Sequence, residues 1–352
     1  TALAPHFPPS LRELNLAYNG LGFEGIEALA PHLSGLRALD LRNNGILIMG
    51  ARALAPAIGA MTSPEALDLS SNDIGCDGME ALAGQLPAGL LRPTLTHSKI
   101  GEQGAGALSR NLPSGLQFLD LCSNNIGDVG ATALAPHLPA SLRTLILSIN
   151  YLGPEGIKAL APHLPPQFKD LNLRNHTFGP DEAQVLAEHL PSSLTTLNLS
   201  CVCLGNAGME AVAPRLPLTL TSLDVGFNEI GAVGAEVLIR HFSPLLSDLC
   251  LNGNELGSVG AEMLGRLLTG GIRELHLTNN GFSFDDVAEF KGALAARGCS
   301  VERLHIESTI VLPVVGVEME AEGEESSCNE DEDEEHAGDD EGSEDEGEGG
   351  DV

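Results

Sequence analysis

A unit of 26 residues repeats from Leu14 to about Thr309, and no other feature limits the possible folds as strongly. One copy reads Leu119-Asp120-Leu121-Cys122-Ser123-Asn124-Asn125-Ile126-Gly127-Asp128-Val129-Gly130-Ala131-Thr132-Ala133-Leu134-Ala135-Pro136-His137-Leu138-Pro139. The first Leu position recurs at Leu14, Leu39, Leu67, Pro93, Leu119, Leu145, Leu171, Leu197, Leu223, Leu249, Leu275 and Leu304. The steps are 25 and 28 residues, then 26 throughout until a last step of 29. A unit of this length is one supersecondary element that cannot bury its apolar face alone, so neighbours must stack on it. Length alone would suggest about two domains for 352 residues. A stack of coils with one continuous core replaces that expectation.

Within a unit, Leu119 and Leu121 alternate with Phe118, Asp120 and Cys122, which is the period of a short strand. The two leucines face the core and the other three face the open side. Asn124 follows, and its amide can serve backbone groups of adjacent turns as a ladder. Ile126 re-enters the core, and Gly127 and Gly130 permit the turn into a helix. Ala131, Leu134, Ala135 and Leu138 then share one helical face. Pro31, Pro56, Pro136, Pro162 and Pro214 fall inside that helical stretch, where a proline removes a backbone bond, so distortion or tightening is expected there.

The LxLxxN core of each unit resembles a leucine-rich repeat. The added Gly-x-x-Gly-Ala-x-x-Leu-Ala stretch resembles the ribonuclease-inhibitor-like subclass, whose return segment is a full helix. The resemblance implies an α/β solenoid of about 12 coils, a horseshoe with a concave parallel sheet and convex helices. The expected domain is 1–317, with a C-terminal cap near 308–317 formed by the apolar run Ile310-Val311-Leu312-Pro313-Val314-Val315. Four places break the pattern. Pro93 replaces a strand leucine and predicts a weakly paired strand. His176 and Val202 stand where Asn belongs. The second coil is two residues long in excess, which predicts a bulged turn at 45–50.

Charge is unevenly spread. The net charge is −31, and residues 318–352 hold 19 acidic residues with no Lys or Arg. That composition cannot repay the entropy of ordering, so an acidic disordered tail is expected over 318–352. So acidic a chain repels phosphates and anionic lipid, which argues against nucleic acid or a membrane as partner and for a basic protein surface. The seven cysteines are odd in number and mostly single, which argues for a reducing compartment, cytoplasmic, nuclear or perinuclear. Thr1 begins in what reads as the end of an earlier repeat, so the chain reads as a fragment.

The outward strand positions form the expected binding surface. Together they offer nine acidic and four basic residues, a mildly acidic face that would steer a basic ligand. The candidate partner-binding residues are Asp40, Arg42, Asn43, Asn44, Asp68, Arg92, Phe118, Asp120, Asn172, Arg174 and Asp224. Against them stands the plain reading that Asp in Leu-Asp-Leu is only a common solvent-facing choice. His32, His137, His163, His189 and His241 recur at helix ends, where repeat inheritance explains them better than a metal does. Cys201-Val202-Cys203 has too short a spacing for a zinc pair. No catalytic constellation, metal site or cofactor motif is read in the chain, and Gly-x-x-Gly here lacks the Lys-Ser/Thr of a phosphate loop.

The repeats imply a non-enzymatic protein-interaction scaffold that binds on its concave face. Two resemblances narrow this. Repeats followed by a short acidic tail resemble the Ran GTPase-activating protein family, in which the horseshoe docks on a small GTPase. That resemblance implies Asn43 or Asn44 nearest the GTPase active site and Arg42 in docking. Repeats of this subclass also occur as sensing modules of NOD-like receptors.

Overall fold

The computed structural model describes residues 4–268 and 270–306. Among these residues, twelve three-residue strands, from β1 (Glu13–Asn15) to β12 (Arg303–His305), pair in chain order as one parallel sheet. Eleven α-helices alternate with them, from α1 (Gly22–Leu29) to α11 (Phe284–Ala296), and each packs on the next. Neighbouring strands sit about 5 Å apart and packed helices about 8–10 Å apart. A stack with that mismatch bends toward its strand side.

The register explains why the repeat length hardly varies. Leu119 lies opposite Leu145, and Leu145 opposite Leu171, so equivalent leucines stack in columns. All three are buried in one core that runs along the coils. Asn124 is fully buried just beyond its strand. Its Nδ2 donates to the carbonyls of Leu121 at 2.9 Å and of Leu95, one coil earlier, at 2.7 Å. Its Oδ1 accepts the N–H groups of Ser98 at 3.0 Å and Ile100 at 3.3 Å. Asn44, Asn72, Asn150, Asn228 and Asn254 repeat the arrangement. The expected asparagine ladder therefore satisfies the buried bend. At the opposite edge of the coils a hydroxyl ladder does similar work. Ser141 Oγ donates to the carbonyls of Ser114 and Leu116, and Thr219 Oγ1 to those of Ser192 and Leu194.

Four of the five interior prolines act as expected. At Pro31, Pro136, Pro162 and Pro214 the α-helix gives way to a 3₁₀ turn. Pro56 instead stays inside α2 (Leu47–Gly59). That helix also absorbs the two extra residues of the second coil, so the bulged turn expected at 45–50 is not there. The turn keeps the geometry of its neighbour because Asn72 holds it: Ile46 N–H reaches Asn72 Oδ1 and Leu47 N–H reaches the Asn72 carbonyl. In consequence Leu47 adopts φ 55°, at the position taken by Gly75 in the next coil.

Pro93 does weaken its strand. β4 (Arg92–Thr94) meets β5 (Phe118–Asp120) through one residue pair, Thr94 with Asp120, where other neighbours make three. The two repeat glycines separate in role. Gly127 sits at φ 58° in the turn, whereas Gly130 lies inside α5 (Gly127–Leu134), and a Cβ there would come 2.5 Å from Ile126 Cγ2 and 3.1 Å from Ala105 Cβ. Gly130 is therefore a packing residue, a correction to its reading as turn chemistry. Of Cys201-Val202-Cys203, only Val202 enters the core. No helix among the described residues is long and apolar enough to cross a membrane. The cap expected at 308–317 and the acidic tail at 318–352 lie outside the described residues.

Candidate functional site

Each strand leaves its second side chain in the core and its first and third on the open face. The third position carries Asp40, Asp68, Asp120 and Asp224, with Asn at Asn15, Asn172 and Asn198. These are half-buried rather than free in solvent, save Asn15, which is exposed. In each, Oδ1 accepts the N–H two residues on: Asp40 from Arg42 at 3.0 Å, Asp120 from Cys122 at 2.9 Å, Asn172 from Arg174 at 3.0 Å, Asp224 from Gly226 at 3.0 Å. One carboxylate oxygen thus closes the strand end and the other remains on the face. The recurring acid is structural in one atom, while the other meets a neighbour on the face: Asp40 and Asp68 Oδ2 meet Arg42, and Asp224 Oδ2 accepts from Asn198. Burial pushes the Asp120 carboxyl up, against hydrogen bonds from Cys122 and Thr96.

The face carries a hollow of about 580 Å³ over coils 1–5. Its floor is made by Ala38 and Ala66, which face each other across β2 (Ala38–Asp40) and β3 (Ala66–Asp68). The register sets these two small side chains in one row between Glu13 and Arg92, with Asp40 and Asp68 in the row beside them, and this leaves room on the face. The Arg92 guanidinium lies over the Phe118 ring, 4.5 Å from its centroid, within the range of a cation–π contact. Arg42 is tied down by two acids, with Nη2 3.0 Å from Asp40 Oδ2 and Nε 3.7 Å from Asp68 Oδ2. The hydrogen bond it donates to Asp40 and the charge of Asp68 raise its pKa further. It also stands 5.9 Å from the Tyr18 ring, and Tyr18 is 68% exposed, so a hydrophobic side chain borders the acidic pair.

Of the residues singled out in the sequence, Asp40, Asp68, Arg92 and Phe118 line this hollow, and Arg42 is ion-paired to two of its acids. Asp120 lies on β5, the strand that gives the hollow Phe118, beside Thr94. Asn172, Arg174 and Asp224 sit on the same face several coils away, joined through Asn198 Nδ2, which donates to Asp224 Oδ2 at 3.1 Å. Asn43 is exposed at the turn with φ 51°. Asn44 is 1% exposed, and its amide is taken up by Leu16, Leu41, Asn19 and Leu21, so it stands in the ladder and offers a partner no free group. Sequence reasoning passed over Tyr18, Ala38 and Ala66. Only side-chain size read down adjacent coils would have pointed to the two alanines.

The helix-end histidines point away from one another in function. His163, His189 and His241 each place Nδ1 on the carbonyl four residues back in their own helices, at 3.0, 2.9 and 2.8 Å. Those contacts serve carbonyls left open at the helix end.

No curated protein matches the chain in sequence. Solved structures similar to it include the leucine-rich repeat-containing protein LegL7 from Legionella pneumophila, at 16% identity over 82% of this chain and 98% of that one, with a TM-score of 0.47. An internalin, inlF, from Listeria monocytogenes is similar at 19% identity over 85% and 87%, with a TM-score of 0.49. A chain of the Rad7 and Elc1 complex in yeast is similar at 15% identity over 81% and 76%, with a TM-score of 0.48. The sequence model of a family described as Leucine Rich repeat matches residues 7–30, 65–83, 116–135, 139–161, 191–213 and 217–238. With those six segments carried on one ladder of twelve stacked strands, the chain is a leucine-rich-repeat protein.

Proposed function

We propose that the chain is a protein-binding scaffold, and that its partner seats a basic side chain in the hollow floored by Ala38 and Ala66. Leucine-rich repeats generally serve as protein-interaction scaffolds, and a stacked sheet is a broad preformed surface that needs little ordering on binding. The observation that carries the reading is the arrangement around the hollow. Three acids, Glu13, Asp40 and Asp68, border it, and among the described residues Arg42 is the cation ion-paired to them. Arg92 and Phe118 form a planar wall on which an aromatic or guanidinium group can stack. Net charge on the chain adds long-range attraction for a basic partner.

A photo-crosslinking residue placed at Ala38 or Ala66 tests this against one placed at Ala53 on α2. Capture of a protein from an extract of the source cells at the two strand positions alone, lost in Asp40→Lys/Asp68→Lys, is the expected result. Equal capture from all three positions overturns the reading.

GTPase activation is the same docking with a small GTPase as the partner, and the sensing module of a NOD-like receptor is the same surface within a longer chain. The resemblance to Ran GTPase-activating proteins places its contacts on coil 2, where Asn43 is exposed and Arg42 half-buried. Phosphate release from GTP-loaded Ran, timed with and without the chain, separates this reading from docking alone.

A further inference from the structure

The last described strand pair gathers a group of ligand atoms that the hollow does not use. Glu274 and His276 are two apart on β11 (Glu274–His276), so they share the open face. The parallel register sets His305 of β12 directly beside His276. The two imidazoles stack with centroids 4.2 Å apart and planes 2° from parallel. Both turn Nε2 toward one carboxylate oxygen, Glu274 Oε1, at 3.1 Å from His276 and 3.7 Å from His305. Arg303 holds the other oxygen, Oε2.

We propose that Glu274, His276 and His305 form a binding site for a divalent transition metal, with zinc as the type ion. Three features support this, with the two rings turning out of their parallel stack so that both Nε2 lone pairs meet at one point. A tetrahedral zinc lies about 2.1 Å from nitrogen and oxygen ligands, which sets those ligand atoms about 3.4 Å apart. The two separations from Oε1 fall on either side of that value, and all three ligand atoms lie within 4.8 Å of one another. Two imidazoles with one carboxylate are a donor set for zinc, cobalt or nickel, whereas calcium and magnesium take oxygen ligands. The Arg303 contact fixes the carboxylate and leaves Oε1 to the metal, as outer hydrogen bonds do for ligating carboxylates. Among the described residues this is the group of three or more such side chains that converges closely enough to hold an ion. Cys250 lies opposite His276 in register, but its thiol does not join the converging group. The fourth position therefore falls to water or to a group from a partner. The nearby guanidinium opposes a cation and weakens the site.

The test is calorimetric titration of Zn²⁺ into the full chain after chelator treatment, beside His305→Ala, His276→Ala and Glu274→Gln. The thiols and the acidic run at 318–352 are present in every variant and cancel in the comparison. One zinc equivalent that weakens at least about ten-fold in each variant is expected, with zinc raising the urea midpoint of the unaltered chain but not of His305→Ala. His305 is 48% exposed, so its removal leaves the fold intact even where His276→Ala does not. Matching isotherms for the unaltered chain, His305→Ala and Glu274→Gln overturn the proposal.

Discussion

The buried side chain of Asn150 accepts the backbone N–H of Asn124 at 2.9 Å, and Asn124 does the same for Ser98 at 3.0 Å. Where the ladder residue is one of these asparagines, it thus completes the bend of the coil before it. This relationship makes the coils cooperative, since no coil can satisfy its own buried turn.

Replacing Asn150 with Ala strips the side-chain partner from the N–H groups of Asn124 and Ile126 and from the carbonyl of Leu147, and removes one of two from the carbonyl of Leu121. Each buried polar group left unpaired costs about 1–3 kcal/mol, part of which is recovered by relaxation and water. Asn150→Ala should lower stability by about 3–5 kcal/mol, seen as a fall in the urea midpoint. An exposed replacement on the same coil, Tyr151→Ala, should cost well under about 1 kcal/mol beside it.

His176 occupies the ladder position of coil 7, 3% exposed, with Nδ1 accepting from Leu152 N–H at 3.2 Å and Nε2 unpartnered. Burial lowers its pKa to about 4. The folded protein therefore resists a proton that the unfolded chain takes up near pH 6.5. The stability this contributes is complete above pH 6.5 and is lost as pH falls toward about 4, by on the order of 3 kcal/mol. His176→Asn restores a ladder residue that does not titrate. Its urea midpoint should fall less than that of the unaltered chain between pH 7 and pH 4; parallel declines would refute the assignment.

Leu47 is held in a left-handed conformation and its side chain is 53% exposed, so little packing offsets the strain. Left-handed backbone costs a residue with a Cβ about 1–2 kcal/mol, and glycine recovers this at some entropic cost. Leu47→Gly should raise stability by about 0.5–1 kcal/mol by chemical unfolding.

Gly130→Ala should act in the opposite direction although alanine is the better helix former. Its Cβ would press on Ile126, Ala105 and the backbone of Glu102. Overpacking of this kind costs about 1–3 kcal/mol. A thermal or urea midpoint at or above that of the unaltered chain would show that the α4–α5 contact (α4 spans Gly101–Ser109) can open without loss.

Much of the fold was legible because the repeat states it twelve times. Leucine spacing set the strands, the turn asparagine announced the ladder, and Pro93 announced a weak strand pair. The errors arose where a residue's role depends on the adjacent coil. The excess length of coil 2 looked like a bulge, yet Asn72 of coil 3 fixes that turn and the surplus moves into α2. Asn44 looked available to a partner, yet coils 1 and 2 consume its amide.

The sequence by itself determined the period, the core columns and the face that stays open, because alternation along a strand and stacking of identical units follow from local spacing alone. Only the tertiary structure decided what that face presents. Whether Ala38 and Ala66 meet to make a hollow, and whether His276 and His305 meet to share a carboxylate, depends on register between strands 28 or 29 residues apart. Register is fixed by hydrogen bonds and packing across coils, which one strand's residues do not encode.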